Sequence, residues 1–258
     1  MSEPTPTRRF RWPLLSPRAE ALAVALVVIA IYFFASVADV YRVGVLSDDG
    51  VYTVLGKALA EGLGYHSIHL VGSPVQVKYP PGFPFILSLL WRIGGSVEAV
   101  QQITYWLHPL VIGAAAGLLW WVGRGRLAAP TVLLAFLVVL PLLLEASIEY
   151  YTLILSEPWF ILGWVGVLVL WMSAAERPPG RSRLLLFAAA GALVAATILV
   201  RSQAIVLLPA VAIALLVRRY SLPERLVVAV IVLAPLGAWQ LYHSALIERG
   251  PVSRLPDE

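Results

Sequence analysis

Apolar residues run through this chain in long blocks separated by short polar links, at 21–38, 99–122, 127–144, 158–174, 184–200, 204–217 and 226–242. A helix of about 20 apolar residues crosses the hydrocarbon of a bilayer, so the pattern predicts seven transmembrane helices. An eighth block, 83–93, is too short to cross ~30 Å at ~1.5 Å per residue and is expected to lie in the interface or dip into it. Residues 39–98 form the one long link. Within it, Val51, Val54, Leu55, Ala58 and Leu59 recur at helical spacing while Lys57 and Glu61 take another face, which predicts an amphipathic helix resting on the membrane.

Composition agrees with this reading. Hydrophobic residues make up 60% of the 258 and charged residues 13%, against roughly 25% charged in soluble domains, and the mean hydropathy is +0.83. The expected fold class is an all-α polytopic membrane protein. A net charge of +4 would suggest nucleic acid in a soluble domain, but the arginines sit in short links between apolar blocks, where they act as topology signals. With 83–93 kept out of the count, the Arg8–Arg18 group, Arg124, Arg126, Arg177, Arg181, Arg183, Arg218, Arg219 and Arg225 all fall on one side, the cytoplasm by the positive-inside rule. The opposite face collects Asp39, Asp48, Asp49, Glu61, Lys78, Glu145, Glu149, Glu157 and Arg201. Residues 1–17 read as a disordered cytoplasmic tail, 18–249 as the transmembrane domain with external link 39–98, and 250–258 as an external tail. The block 21–38 follows basic residues and ends in Ser36-Val37-Ala38, a sequence open to signal cleavage. Its length exceeds the ~7–15 apolar residues of a cleaved signal, and an uncleaved first span is expected.

Candidate chemistry concentrates in the external links. Directly after the first span comes Ser47-Asp48-Asp49-Gly50-Val51-Tyr52, and about one helix later Lys78-Tyr79-Pro80-Pro81-Gly82-Phe83-Pro84. Asp48 and Asp49 are equally suited to capping the helix that follows. Ser156-Glu157-Pro158 is a second such start, with proline in the first turn, and Arg201 or Lys78 can simply reach for headgroups. His66 and His69 near the acidic pair leave a divalent ion open, without matching any zinc spacing. The chain has no cysteine, which excludes disulfides and thiol nucleophiles. A Gly-rich phosphate loop is also absent. Gly113 and Gly117 form a small-residue packing face within the second span. Transporters usually place ionisable or broken segments near the bilayer midplane, whereas these spans are almost free of charge. A non-catalytic scaffold stays open.

The acidic pair with Tyr52, the pair Gly64-Tyr65, and Lys78-Tyr79-Pro80-Pro81-Gly82 leading into a short apolar helix together resemble the first external loop of GT-C-fold glycosyltransferases. The likeness is to the branch of protein O-mannosyltransferases and lipid A aminoarabinose transferases. Ser156-Glu157-Pro158-Trp159-Phe160 resembles that family's second acidic site. The family often reads Asp-Glu where this chain has Asp48-Asp49, and its members usually carry several more spans, so the resemblance implies a fragment or a short member. It further implies a GT-C-like bundle in the plasma (inner) membrane, an outward-facing site, and inverting sugar transfer from a polyprenyl-phosphate donor to a protein, lipid or glycan acceptor. Asp48 is the expected base, with Asp49 and Glu157 as further catalytic candidates. Lys78 and Arg201 would hold the departing phosphate, and Tyr52 and Tyr79 would line the substrate site. Partners are then the donor lipid, the acceptor and membrane lipid, without nucleic acid and with no cofactor required beyond the open divalent ion.

Overall fold

The computed structural model describes residues 16–35, 47–76, 78–124, 154–218 and 220–248. The apolar block 127–144, the tail 250–258 and all but the end of the tail 1–17 lie outside the described residues, as do Asp39, Glu145 and Glu149. In chain order the helices are α1 (Pro17–Ala35), α2 (Ser47–Ala60), α3 (Gly82–Gly94), α4 (Val97–Arg124), α5 (Glu157–Ala175), α6 (Arg181–Val200), a 3₁₀ turn (Ser202–Val206), α7 (Leu207–Val217) and α8 (Leu222–Glu248). Among the described residues there is no strand, only a lone bridge between His66 and Val75. Among the described residues four helices are long and apolar enough to cross a bilayer: Val97–Gly123, Glu157–Ala175, Arg181–Val200 and Leu222–Ala245. The chain is an all-α polytopic membrane protein. The block expected at 204–217 is broken, because Arg201 is extended at the end of α6 and a 3₁₀ turn precedes the eleven residues of α7.

Lipid tails are as apolar as leucine, so burial alone does not bring spanning helices together; close backbone approach does much of it. The Gly113/Gly117 face is used in this way. A Cβ on Gly113 would stand 2.5 Å from Ile29 Cγ1, and one on Gly117 2.8 Å from the Ala21 carbonyl oxygen, so α4 lies directly on α1. On α5, a side chain at Gly163 would collide with Thr197 of α6, and one at Gly166 would come within 2.7 Å of Leu193. Trp171 and Phe187 meet edge to face farther along the same seam. That descending register makes α5 and α6 antiparallel.

Helix ends sort into two groups. The start of α1 meets the end of α4, where the indole of Trp120 donates to Glu20 at 3.3 Å. The start of α6 meets the start of α8: Arg183 Nε lies 2.9 Å from Glu224 Oε1, with both side chains largely buried. The Arg183 guanidinium also stands over the rings of Phe187 and Tyr220 at 5.6 and 5.3 Å. Helices α6 and α8 therefore run parallel, and α7 carries the chain back between them. At the other end, Val100 of α4 and Val200 of α6 share one apolar cluster with Tyr52, Phe83, Leu87 and Trp91.

That second end is roofed by α2 and α3. The amphipathic helix is found, starting at Ser47, with its apolar face covered by protein. From Asp48 to Ala60 no residue is exposed, because α2 packs on α3 and the two close over the bundle. The Trp91 indole donates to the Thr53 carbonyl at 3.2 Å, locking the pair. Helix α3 is the short block expected at 83–93. It stops where Gly95 takes φ 73° and returns its N–H to the Trp91 carbonyl at 2.8 Å, a left-handed cap that suits glycine. Phe85, Leu89 and Ile93 stay exposed along one side, so α3, rather than α2, offers an apolar stripe outward.

Candidate functional site

The site is built where the two polar motifs meet. Asp48 and Asp49 open α2, and the structure gives them different work. Asp49 is fully buried; its Oδ1 accepts the Gly50 N–H at 2.7 Å, and its carbonyl accepts the Thr53 hydroxyl at 2.7 Å. Asp48 is only partly buried and faces the second motif. Its Oδ1 accepts the Tyr79 hydroxyl at 2.5 Å, and the same hydroxyl accepts from Lys78 Nζ at 2.9 Å. Lys78, Tyr79 and Asp48 thus form one chain of donors and acceptors ending on a carboxylate.

Two features hold the Lys78–Gly82 turn in place. Buried Tyr65, of the expected Gly-Tyr pair, directs its hydroxyl at the Tyr79 and Pro80 carbonyls, at 3.0 and 3.1 Å, and its ring meets Trp239 of α8 edge to face at 5.7 Å. Gly82 sits against the end of α6, where a Cβ would come within 2.6 Å of the Leu199 carbonyl carbon and oxygen and 2.7 Å of the Val200 nitrogen. Those are backbone atoms that cannot swing away. The absent side chain lets the turn lie beside the residue that follows, Arg201.

Arg201 carries the other half. Its extended backbone, φ −148° and ψ 122°, ends α6 and turns the side chain toward the start of α5. Nη1 lies 2.8 Å from Glu157 Oε1 and donates to Ser156 Oγ at 3.0 Å. Arg201 is thus bound within the protein rather than extended to headgroups. Glu157 Oε2 is buried without a partner among the described residues, leaving acceptor capacity unused.

Tyr52 joins the halves. It is 3% exposed, its ring meets Tyr79 at 5.1 Å and Phe83 at 5.0 Å, both edge to face, and its hydroxyl lies near Ser156. Burial raises its pKa above the ordinary phenol value, moderated by Ser156 and Arg201 and reinforced by Asp48 and Glu157. Tyr79 is raised too, first by burial and then by its bond to Asp48, against Lys78. Tyr65 is pushed up by burial. Lys78 is raised, mainly by its bond to Tyr79. At neutral pH the three phenols therefore keep their protons and the lysine its charge.

Asp48, Lys78 and Tyr79 are joined by hydrogen bonds and Glu157 and Arg201 by an ion pair, with the Tyr52 ring against Tyr79. Tyr52, expected among substrate-contacting residues, stands behind them, and Asp49 points its bonding into its own helix. Ser156, expected only as part of a helix start, is fully buried and makes no side-chain cap bond; its hydroxyl accepts from Arg201 instead. His66 is occupied in its own loop, with Nδ1 2.7 Å from the Ser73 carbonyl oxygen. Among the described residues no group of three His, Asp or Glu gathers to hold a metal ion, so no step is assigned to one. A groove of about 390 Å³ opens elsewhere, between Ala21 and Leu22 of α1 and Ala114, Gly117 and Trp121 of α4. It is almost wholly apolar and lies at the end of α1 and α4 away from the charged cluster, so the chemistry is sought in the cluster. No protein-family model, curated protein or solved structure matches the chain.

Proposed function

We propose that the chain is a membrane glycosyltransferase that moves a sugar from a polyprenyl-phosphate donor to an acceptor hydroxyl on the outer face of the plasma membrane. The observation carrying this reading is the convergence of two carboxylates and two cations, Asp48 with Lys78 and Glu157 with Arg201, around buried Tyr52. They gather at the helix ends opposite Arg183 and Arg177, the side expected to be external. This is also the arrangement that the resemblance to the GT-C loop implies.

Sugar transfer requires a base for the acceptor and charge stabilisation for the leaving group. As the acceptor oxygen bonds to the anomeric carbon, its proton passes to Asp48, whose other oxygen is steadied by Tyr79. The bond from that carbon to the phosphate oxygen breaks, and the electron pair leaves with the polyprenyl phosphate. Negative charge grows there during the step, and Lys78 and Arg201, fixed beforehand, stabilise it more in the transition state than in the ground state. Attack from one side inverts the anomeric centre. Glu157 orients the acceptor or shares the base role.

The test is transfer by the full chain in lipid nanodiscs, supplied with a panel of polyprenyl-phosphate sugars. Asp48→Asn retains size but cannot take the proton, and turnover should fall ~10²–10⁴-fold with donor binding unchanged. One observation favours a second reading, a non-catalytic scaffold: each acid is already engaged, Asp48 with Tyr79 and Glu157 with Arg201. In that case no donor in the panel reacts, and Asp48→Asn lowers only the thermal midpoint.

A further inference from the structure

We infer that Ser156 is a positioning residue whose hydroxyl holds the Arg201 guanidinium in register with Tyr52 and so couples the two halves of the site. A serine hydroxyl has one O–H and two lone pairs, enough to serve two neighbours. Arg201 Nη1 uses one lone pair at 3.0 Å, and the buried Tyr52 hydroxyl, whose proton affinity Ser156 and Arg201 both lower, lies on its other side. Ser156 is 0% exposed, so no substrate reaches it, and it acts only through others.

The coupling has a structural reason. Arg201 stands at the break after α6, where a long side chain has few constraints of its own. Its ion pair with Glu157 joins groups 22% and 33% exposed, and partly hydrated pairs of this kind typically contribute only ~0–1 kcal/mol. The ion pair alone is therefore a weak hold. A buried hydroxyl adds a second, directional contact to the same Nη1. Through Tyr52 that contact reaches α2, and the Tyr52 ring reaches Tyr79, the residue between Lys78 and Asp48. Displacing the hydroxyl frees the guanidinium from the frame that carries the base.

Arginine reactivity reads this directly. In the full chain in nanodiscs, phenylglyoxal modification of each arginine is followed by peptide mass spectrometry. Ser156→Ala should accelerate modification of Arg201 about 10-fold, the scale of one hydrogen bond to a charged group. Arg183, locked between Glu224, Phe187 and Tyr220, should keep its rate. Tyr52→Phe, which leaves Ser156 without its second neighbour, should accelerate Arg201 by a smaller factor, about 3-fold. Equal Arg201 rates in the parent and Ser156→Ala overturn the inference. Parallel acceleration at Arg183 overturns it as well, because the bundle as a whole has then loosened, and an unchanged rate in Tyr52→Phe overturns the coupling. A second arm, resting on the proposed function, adds a polyprenyl phosphate without sugar. It should protect Arg201 in the parent and require about 10-fold more lipid in Ser156→Ala. Failure of protection in the parent, with the Ser156→Ala acceleration intact, removes the lipid donor and leaves the positioning role standing.

Discussion

A single hydroxyl ties Lys78 to Asp48: Tyr79 donates a hydrogen bond to the carboxylate and accepts one from the ammonium. Lys78 is exposed while Tyr79 is buried, so the cation can leave its tyrosine for an arriving phosphate without disturbing the packing. Lys78→Ala should therefore act on the donor rather than on the fold. The donor concentration at half-saturation is expected to rise about 10-fold or more, the cost of one charge-assisted contact, with the thermal midpoint within about a degree of the parent on the scale of exposed substitutions. An unchanged half-saturation would remove Lys78 from the phosphate site. Asp49 illustrates what sequence could not divide. Two adjacent acids at a helix start are both caps and bases on paper, and only the packing of α2 shows that Asp49 closes on Gly50 while Asp48 looks outward.

At the scale of elements, Gly82 is the joint on which the site depends. With α6 backbone atoms 2.6–2.7 Å from where a Cβ would stand, Gly82→Ala must separate the Lys78–Gly82 turn from Arg201. Overpacking of this kind typically costs ~1–3 kcal/mol. We expect a lower thermal midpoint together with a loss of transfer larger than Lys78→Ala causes; a variant as stable and active as the parent would show that the approach is unimportant. Most elements were legible beforehand: α3, α4, α5, α6 and α8 lie within a few residues of the apolar blocks, because lipid demands length and apolarity that sequence records openly. The protein cover over α2 was not legible, for a physical reason. Periodicity reports that one helix face is apolar but not whether lipid or protein covers it, and here α3 does. Likewise the break at Arg201 lies inside apolar sequence, and the bond between Ser156 and Arg201 joins segments far apart in the chain, where no local pattern operates.

For the whole molecule, the pairing of Arg183 with Glu224 and of Glu20 with Trp120 gathers one set of helix ends, opposite the site. The arginine distribution assigns that set to the cytoplasm, and the lack of native cysteine makes the assignment easy to check. A cysteine placed at Ser182, exposed at the start of α6, should react with a membrane-impermeant maleimide only after the membrane is opened, and one placed at His69 should react in intact cells. The reverse pattern would turn the protein over and put the site inside. The edge-to-face contact of Tyr65 with Trp239 has a consequence for how the molecule comes into being. The turn bearing Lys78 and Tyr79 leaves the ribosome early, yet the ring that braces its supporting tyrosine belongs to α8. At ~5–20 residues per second, roughly ten to thirty seconds of translation separate the two. During that interval the nascent external loop waits beside an unfinished bundle, and it acquires its final brace only when α8 arrives.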